Sequence, residues 1–444
     1  MKRFFGVLLL LMMASSIMAH PWKPSHYVIV DTDGGLDDMK AICMLLASPD
    51  VRVMAVTVTR GFRSEEETFN RVRGMLDEFH HEGVIVVRNE DAASVIDNAI
   101  NNESSPVDFI ALGSMDIVQA SLNSLPSFRK RIRRIIWSNN GLPGTKGYNY
   151  NISPGSATAV LADSIPVIVA GAGGDAFYDE NTVAEIAAVN TRYAQKISEI
   201  IKANAGHPYV YTSFDEMVPL YLHNPSLFTV IVSGRNKSCK PADIPALRRA
   251  AVKILSGATV KKMQVMKTMT ADTSFYMPDL QPYITEIINK YGEDEWASGV
   301  IADELHRHLG VFAIIGVKMG IRAREYFCTG VDEFKVVSHA GSTPPLSCMN
   351  DGLQVSTGAT PGHGLLHVLD QEPLTPSAEF TYKGVTIKLT LKKEYAGKLM
   401  SELKEINFVY GLDSNIYWEL VRKNTIKYWL QFNRNDIFDI VKLN

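Results

Sequence analysis

Apolar positions along the chain follow two regimes. From residue 27 to about 228, short apolar runs alternate with longer stretches in which apolar residues recur at helical spacing. Near-continuous runs such as Val51-Arg-Val-Met-Ala-Val-Thr-Val58 suit strands buried on both faces. Strands are predicted at 27–30, 51–58, 84–87, 108–112, 134–137 and 166–170, and helices at 65–79, 156–162 and 182–203. Such alternation predicts an α/β domain built on a mostly parallel sheet with both faces covered. Residues 237–291 read as helical, and Met263, Met266 and Met269 form a stripe suited to core or inter-domain packing rather than to a cofactor.

The densest chemistry sits where the first strand should end. Tyr27-Val-Ile-Val-Asp31-Thr-Asp33-Gly-Gly-Leu-Asp37-Asp38 runs from an apolar strand through a Gly-Gly turn into an apolar helix. Ligands of open α/β sheets bind at the carboxyl ends of the strands, which is where these acids fall. One Asp could serve as a helix cap, but four crowded carboxylates exceed what a cap needs. Their mutual repulsion calls for a counter-charge, and a hard cation held by oxygens supplies it.

Composition narrows the classes. The chain has 444 residues and a formal net charge of −3, with no basic face to suggest a nucleic-acid partner. Its length suggests two domains, with a boundary near residues 279–291. Lys2-Arg3, the apolar run to Met13 and Ala14-Ser-Ser-Ile-Met-Ala19 read as a secretory signal peptide over 1–19, too short to span a membrane. The expected location is therefore periplasmic or secreted, without a membrane span in the mature form. Export would permit disulfides, but the four cysteines, Cys43, Cys239, Cys328 and Cys348, show no close-spaced framework.

Asp31-x-Asp33-x-Gly35-x-Asp37-Asp38, its apolar helix and the strand at 51–57 resemble the amino-terminal signature of the inosine-uridine preferring nucleoside hydrolases. The resemblance implies a Rossmann-like nucleoside hydrolase fold over 20–285 and a calcium ion held by Asp33, Asp38, Asp215 and the main-chain carbonyl of Asp116. It implies Asp33 as the catalytic base, and Asp37, Asn149 and Asn151 as the residues that bind the sugar. This chain departs from the family pattern at three places: Phe62 stands for an Asn, Phe214 for a His, and Asn149 for a Glu. The Met-Gly-Gly stretch after the fifth strand reads Trp137-Ser-Asn-Asn140. With Phe214 at the His position, His223 or Tyr211 are the alternatives for protonating a leaving base. Asp31 to Gly34 also resembles the haloacid dehalogenase phosphatases, in which Asp31 would be the nucleophile. There, Thr and apolar residues normally follow, whereas Gly35, Asp37 and Asp38 follow here.

A second dense region contains Glu304-Leu-His306-Arg-His308, Cys348-Met-Asn-Asp351, Gly358-Ala-Thr-Pro-Gly-His363-Gly364 and an aromatic tail from Tyr417 to Phe438. It resembles the FmdE domain, a family named for formylmethanofuran dehydrogenase, and implies a smaller α+β domain over 286–444. His306, His308 and Cys348, with Asp351 in reserve, point to zinc or another transition metal. On a regular helix His306 and His308 would face opposite sides, so both reach one ion only if the turn is irregular. Ala359 replaces a Cys frequent in that family, which argues against a redox role.

Two functions follow. One is an exported, calcium-dependent hydrolase of N-ribosyl bonds acting on a small riboside, as a monomer or a homo-oligomer, with an appended metal-binding domain. The other is a riboside or polyol binder that keeps the ion but has lost turnover.

Overall fold

The computed structural model describes residues 24–141, 143–174, 176–259, 265–266 and 268–444. The expected signal peptide at 1–19 and Met263 of the methionine stripe lie outside the described residues. Two compact units emerge, one of residues 24–261 with 326–328, the other of 262–325 and 329–444. The division falls earlier than the boundary expected near 285. Leu280, Ile284 and Ile287 explain why, because they pack with Trp296, Ile314 and Trp429 in a core of the second unit.

The first unit is a mixed α/β layer structure. Its strands are β1 (His26–Thr32), β2 (Val51–Val58), β3 (Ile85–Arg88), β4 (Val107–Ala111), β5 (Ile132–Ser138), β6 (Val167–Ala170), β7 (Phe228–Ser233) and β8 (Asn236–Pro241). They form one sheet in the order β3-β2-β1-β4-β5-β6-β8-β7, parallel except for the β7–β8 pair. Strands β1, β2, β4, β5 and β6 are almost wholly buried, as their unbroken apolar runs require. The chain winds outward from β1 in one direction, then resumes beside β1 at β4 and winds the other way. This reversal opens a crevice at the carboxyl ends of β1 and β4.

The β7–β8 hairpin corrects the helical reading of the segment after residue 237. Gly234, at φ 61°, turns the chain between the edge strand β7 and its neighbour β8, and the exposed side chains of β7 blur any burial period. The long helix expected over 182–203 is two helices, Glu180–Ala188 and Arg192–Ala203. Thr191 restarts the second by accepting a hydrogen bond from Ala194 N.

The second unit holds a smaller sheet of β9 (Lys335–Ser338), β10 (Leu366–Val368), β11 (Ser377–Tyr382), β12 (Val385–Leu391) and β13 (Phe438–Lys442), ordered β10-β9-β11-β12-β13. Only β9–β10 is parallel, so the unit is α+β as expected. The helices Val311–Phe327 and Met349–Thr357 touch backbone to backbone: a Cβ on Gly352 would lie 2.0 Å from Ala313 O. Among the described residues no helix is long and apolar enough to cross a membrane.

Candidate functional site

At the crevice the chain leaves β1, makes the Gly34-Gly35 turn and enters the helix Leu36–Ala47. A cavity of about 290 Å³ opens there, lined by Asp33, Asp37, Asp38 and Asp215 together with residues from the ends of β4 and β5. Ligand oxygens of Asp37, Asp38 and Asp215 all lie within 4.8 Å of one another. Gly35 permits this convergence, since a Cβ on it would meet Asp37 Oδ1 at 2.6 Å and Asp38 Oδ2 at 2.8 Å.

Electrostatics mark the same place. Burial, then the charge of Asp38, pushes Asp33 up to about 9, while burial and Asp38 push Asp37 up to about 7. Asp215 lies well above the usual carboxylate range because it is buried and faces Asp37 and Asp38. Asp38 accepts from Thr32 Oγ1 and from Asp33 N (3.1 Å), which fixes it against the strand end. Three acidic oxygens within 4.8 Å of one another, about twice a calcium–oxygen distance, with no Lys or Arg among the described residues lining the cavity, fit a hard divalent cation.

Beneath the acids, the buried Lys40 braces the loop that carries Asp215. Its Nζ lies 2.7 Å from Glu216 Oε1 and donates to the carbonyls of Val210 and Thr212, each at 3.2 Å. Glu216 in turn accepts from Tyr178 Oη at 2.8 Å and from Phe214 N at 3.0 Å. The ion pair therefore holds both flanks of Asp215 in place.

The structure separates some residues that the sequence grouped. Asp31 is fully buried and accepts from Thr57 Oγ1 (2.7 Å) and Thr59 Oγ1 (3.2 Å), so it ties β1 to β2 and does not line the cavity. That placement gives the Asp31 carboxylate a structural partner set and favours the acids of the cavity over it as reacting groups. Asp116 also stands outside the cavity lining: its carboxylate accepts from Ser156 and Ser114, and Leu112 lines the wall instead. Asn149 lines the cavity, but Asn151 is exposed on the other side of the helix Tyr148–Ile152. Two residues turn a helix by about 200°, so only one of the pair can face inward. His223 and Tyr211 do not line the cavity.

Several lining residues had no role assigned from sequence: Asn139, Asn140, Tyr148, His207 and Tyr209. Asn139 donates to Lys146 O at 2.8 Å, while its buried Oδ1 has no hydrogen-bond partner among the described residues. Burial and the charges of Asp33, Asp37 and Asp38 raise the Tyr148 phenol above its ordinary value. His207, Tyr209 and Phe214 form an aromatic wall, with ring centroids 5.9 Å apart for the first pair and 6.1 Å for the second. The cluster of rings in the loop just ahead of Asp215 was the available sequence signal.

In the second unit the turn after the helix Glu293–His306 is irregular, as two histidines on one side require. Arg307 is left-handed at φ 69°, which brings the His306 and His308 rings to 4.3 Å between centroids. Even so, His306, His308 and Cys348 form no group of three converging ligand atoms among the described residues. His306 Nδ1 is bonded to Asp351 Oδ2 at 2.8 Å, and the His308 ring packs edge-on against Trp418 at 4.8 Å. The hydrogen bond to Asp351, with Cys348 next, raises His306 to about 10. The three expected zinc ligands thus do not converge among the described residues, although Asp351 holds His306 through Nδ1 and leaves its buried Nε2 without a hydrogen-bond partner there.

Residues 305–429 match the family model described as FmdE, molybdenum formylmethanofuran dehydrogenase operon. The pyrimidine-specific ribonucleoside hydrolase RihA of Salmonella agona is 25% identical to this chain, over 32% of the chain and 59% of the relative. The first unit is nucleoside hydrolase-like. Two solved structures of similar description are a plant nucleoside hydrolase (15% identity, TM-score 0.45) and a purine-preferring ribonucleoside hydrolase from Gardnerella vaginalis (17%, 0.44). Each match covers 52% of this chain and 99% of the other. The chain spans 59% of the length of the first curated relatives it matches.

Proposed function

We propose that the first unit is a calcium-dependent hydrolase of N-ribosyl bonds, acting on a small riboside whose base sits against the aromatic wall. The observation that carries this reading is the convergence of Asp37, Asp38 and Asp215 on one point of a cavity at the sheet's reversal. When bound, a calcium ion there neutralises the carboxylates and supplies Lewis-acid activation of water and of a sugar diol.

The chain's own groups divide the remaining work. Asp33, beside the acidic trio, accepts the proton of the water that attacks the anomeric carbon. Asp37 orients a ribose hydroxyl and, as positive charge grows on the sugar, stabilises it. Asn139 Oδ1 accepts from a second hydroxyl. Asn149 donates through Nδ2 to Leu112 O (2.6 Å) and Ser138 O (3.0 Å), and so presents its carbonyl oxygen to the ligand. Phe62, Phe214 and Tyr209 exclude water around the base, and His207 donates the proton that lets the base leave. The expected export through residues 1–19 belongs to the same proposal, and sequencing the amino terminus of the mature protein tests it.

The second reading, a riboside binder without turnover, draws on Phe62 and Phe214, which stand where the resemblance expects polar side chains. Purified full chain is given a panel of ribonucleosides and other ribosyl compounds with calcium or chelator, and free base is followed. Hydrolysis predicts release that needs calcium, vanishes in Asp33→Ala, and falls about 10²–10⁴-fold in His207→Gln. Saturable, calcium-dependent binding without release establishes the binder instead. Release that persists in chelator would overturn the assignment of the acids.

A further inference from the structure

At the opposite end of the parallel strands lies a second cluster that the proposed hydrolysis does not use. His26 opens β1, Asp50 precedes β2, and His223 closes the helix Met217–His223. Three elements distant in sequence thus deliver two imidazoles and a carboxylate to one spot. A ring nitrogen from each histidine and a carboxylate oxygen lie within 4.8 Å of one another. The seven-residue strand β1 separates this spot from the acid-lined cavity, by about 20 Å at strand rise.

Two independent features point to a ligand. His223 Nε2 is buried without a hydrogen-bond partner among the described residues. Buried polar atoms are normally satisfied, so an orphaned nitrogen beside a second imidazole and a carboxylate is unusual for mere packing. The rings stand edge to face, 5.7 Å between centroids at 89°. Beyond them, His26 Nδ1 faces Asp108 Oδ2 at 3.9 Å, and Asp108 is itself gripped by Arg133 (2.7 Å) and Arg134 (3.0 Å). A fixed carboxylate behind one ring nitrogen is the usual support for an imidazole whose other nitrogen binds a metal.

We propose that His26, Asp50 and His223 form a binding site for a divalent transition metal of the zinc class, with water as fourth ligand. Two imidazole nitrogens and one carboxylate oxygen match the donor set of three-ligand zinc sites and are too nitrogen-rich for calcium. Tetrahedral coordination needs ligand atoms about 3.3 Å apart, which small side-chain rotations supply from the present spacing. Asp50 is already placed: its Oδ1 accepts from Ser25 N at 2.8 Å, and its carbonyl accepts from His26 N at 3.2 Å. The ion clasps the chain at the start of β1 to the end of the helix that follows Asp215.

The test uses full-length protein stripped with chelator, reloaded with zinc alone, dialysed and assayed by elemental analysis and X-ray absorption. It is run in a Cys348→Ser background, which removes the thiolate of the second unit. The parent should hold one zinc per chain more than His223→Gln, with nitrogen and oxygen scatterers only. His26→Gln and Asp50→Asn should each weaken zinc binding at least about 100-fold, more than loss of a supporting residue does. Circular dichroism checks that each variant is folded, and Asp215→Asn should bind zinc here as the parent does. Equal zinc content in the parent and all three folded variants, or a zinc signal lost only in Asp215→Asn, overturns the proposal. Absence of imidazole scattering from the parent overturns it without recourse to any variant.

Discussion

Replacing Asp215 by Asn tests the charge argument at its centre. Asp215 is 3% exposed and faces Asp37 and Asp38, so without a cation it must hold a proton or endure repulsion. The amide keeps the shape and removes the charge. Removing one of the like charges relieves about 1–4 kcal/mol, the Coulomb repulsion of two unit charges about 4 Å apart between the water limit and an effective dielectric of about 20. A unit of this size gains roughly 2–4 °C in Tm per kcal/mol, so in chelator at pH 8 Asp215→Asn should melt higher than the parent by roughly 2–16 °C. Calcium reverses the order. At one hundred times its Kd, an ion that binds only the folded state adds about 2.7 kcal/mol, or roughly 5–11 °C, to the parent and nothing comparable to the variant. Scanning calorimetry of both proteins, each with chelator and with calcium, reads all four values. A variant that melts below the parent in chelator, or one that gains as much from calcium, would refute the reasoning.

Two other outcomes follow from the same site. Asp33 at about 9 and Asp37 at about 7 sit above their unfolded values, so the folded state binds extra protons between pH 4 and 9. Stability in chelator should therefore fall as pH rises through that window, and calcium should flatten the slope; a chelated protein whose Tm climbs from pH 5 to pH 8 contradicts the sign. Lys40→Met strands the buried Glu216 and should cost about 3–5 kcal/mol, read by urea unfolding, with most of it recovered in Lys40→Met/Glu216→Gln. A loss below about 1 kcal/mol would mean that the pair does not brace the Asp215 loop.

The sequence alone determined the parts that depend on local pattern. Mostly apolar, β-branched runs such as 51–58 and 108–112 read as strands buried on both faces, and their alternation with helices predicted a mostly parallel sheet. The Gly-Gly turn placed Asp33, Asp37 and Asp38 at the carboxyl end of β1, because a seven-residue strand and a helix start leave them nowhere else. Tertiary structure decided everything that depends on which side of an element faces the cavity, and on which distant loops meet it. It turned Asn149 in and Asn151 out, withdrew Asp31 into hydrogen bonds with Thr57 and Thr59, and supplied His207 and Tyr209 from a loop far along the chain. It also revealed His26, Asp50 and His223 as neighbours. No spacing rule links residues 26, 50 and 223, since sheet order rather than sequence distance sets what lies beside what; local periodicity fixes each element, and only packing chooses its companions.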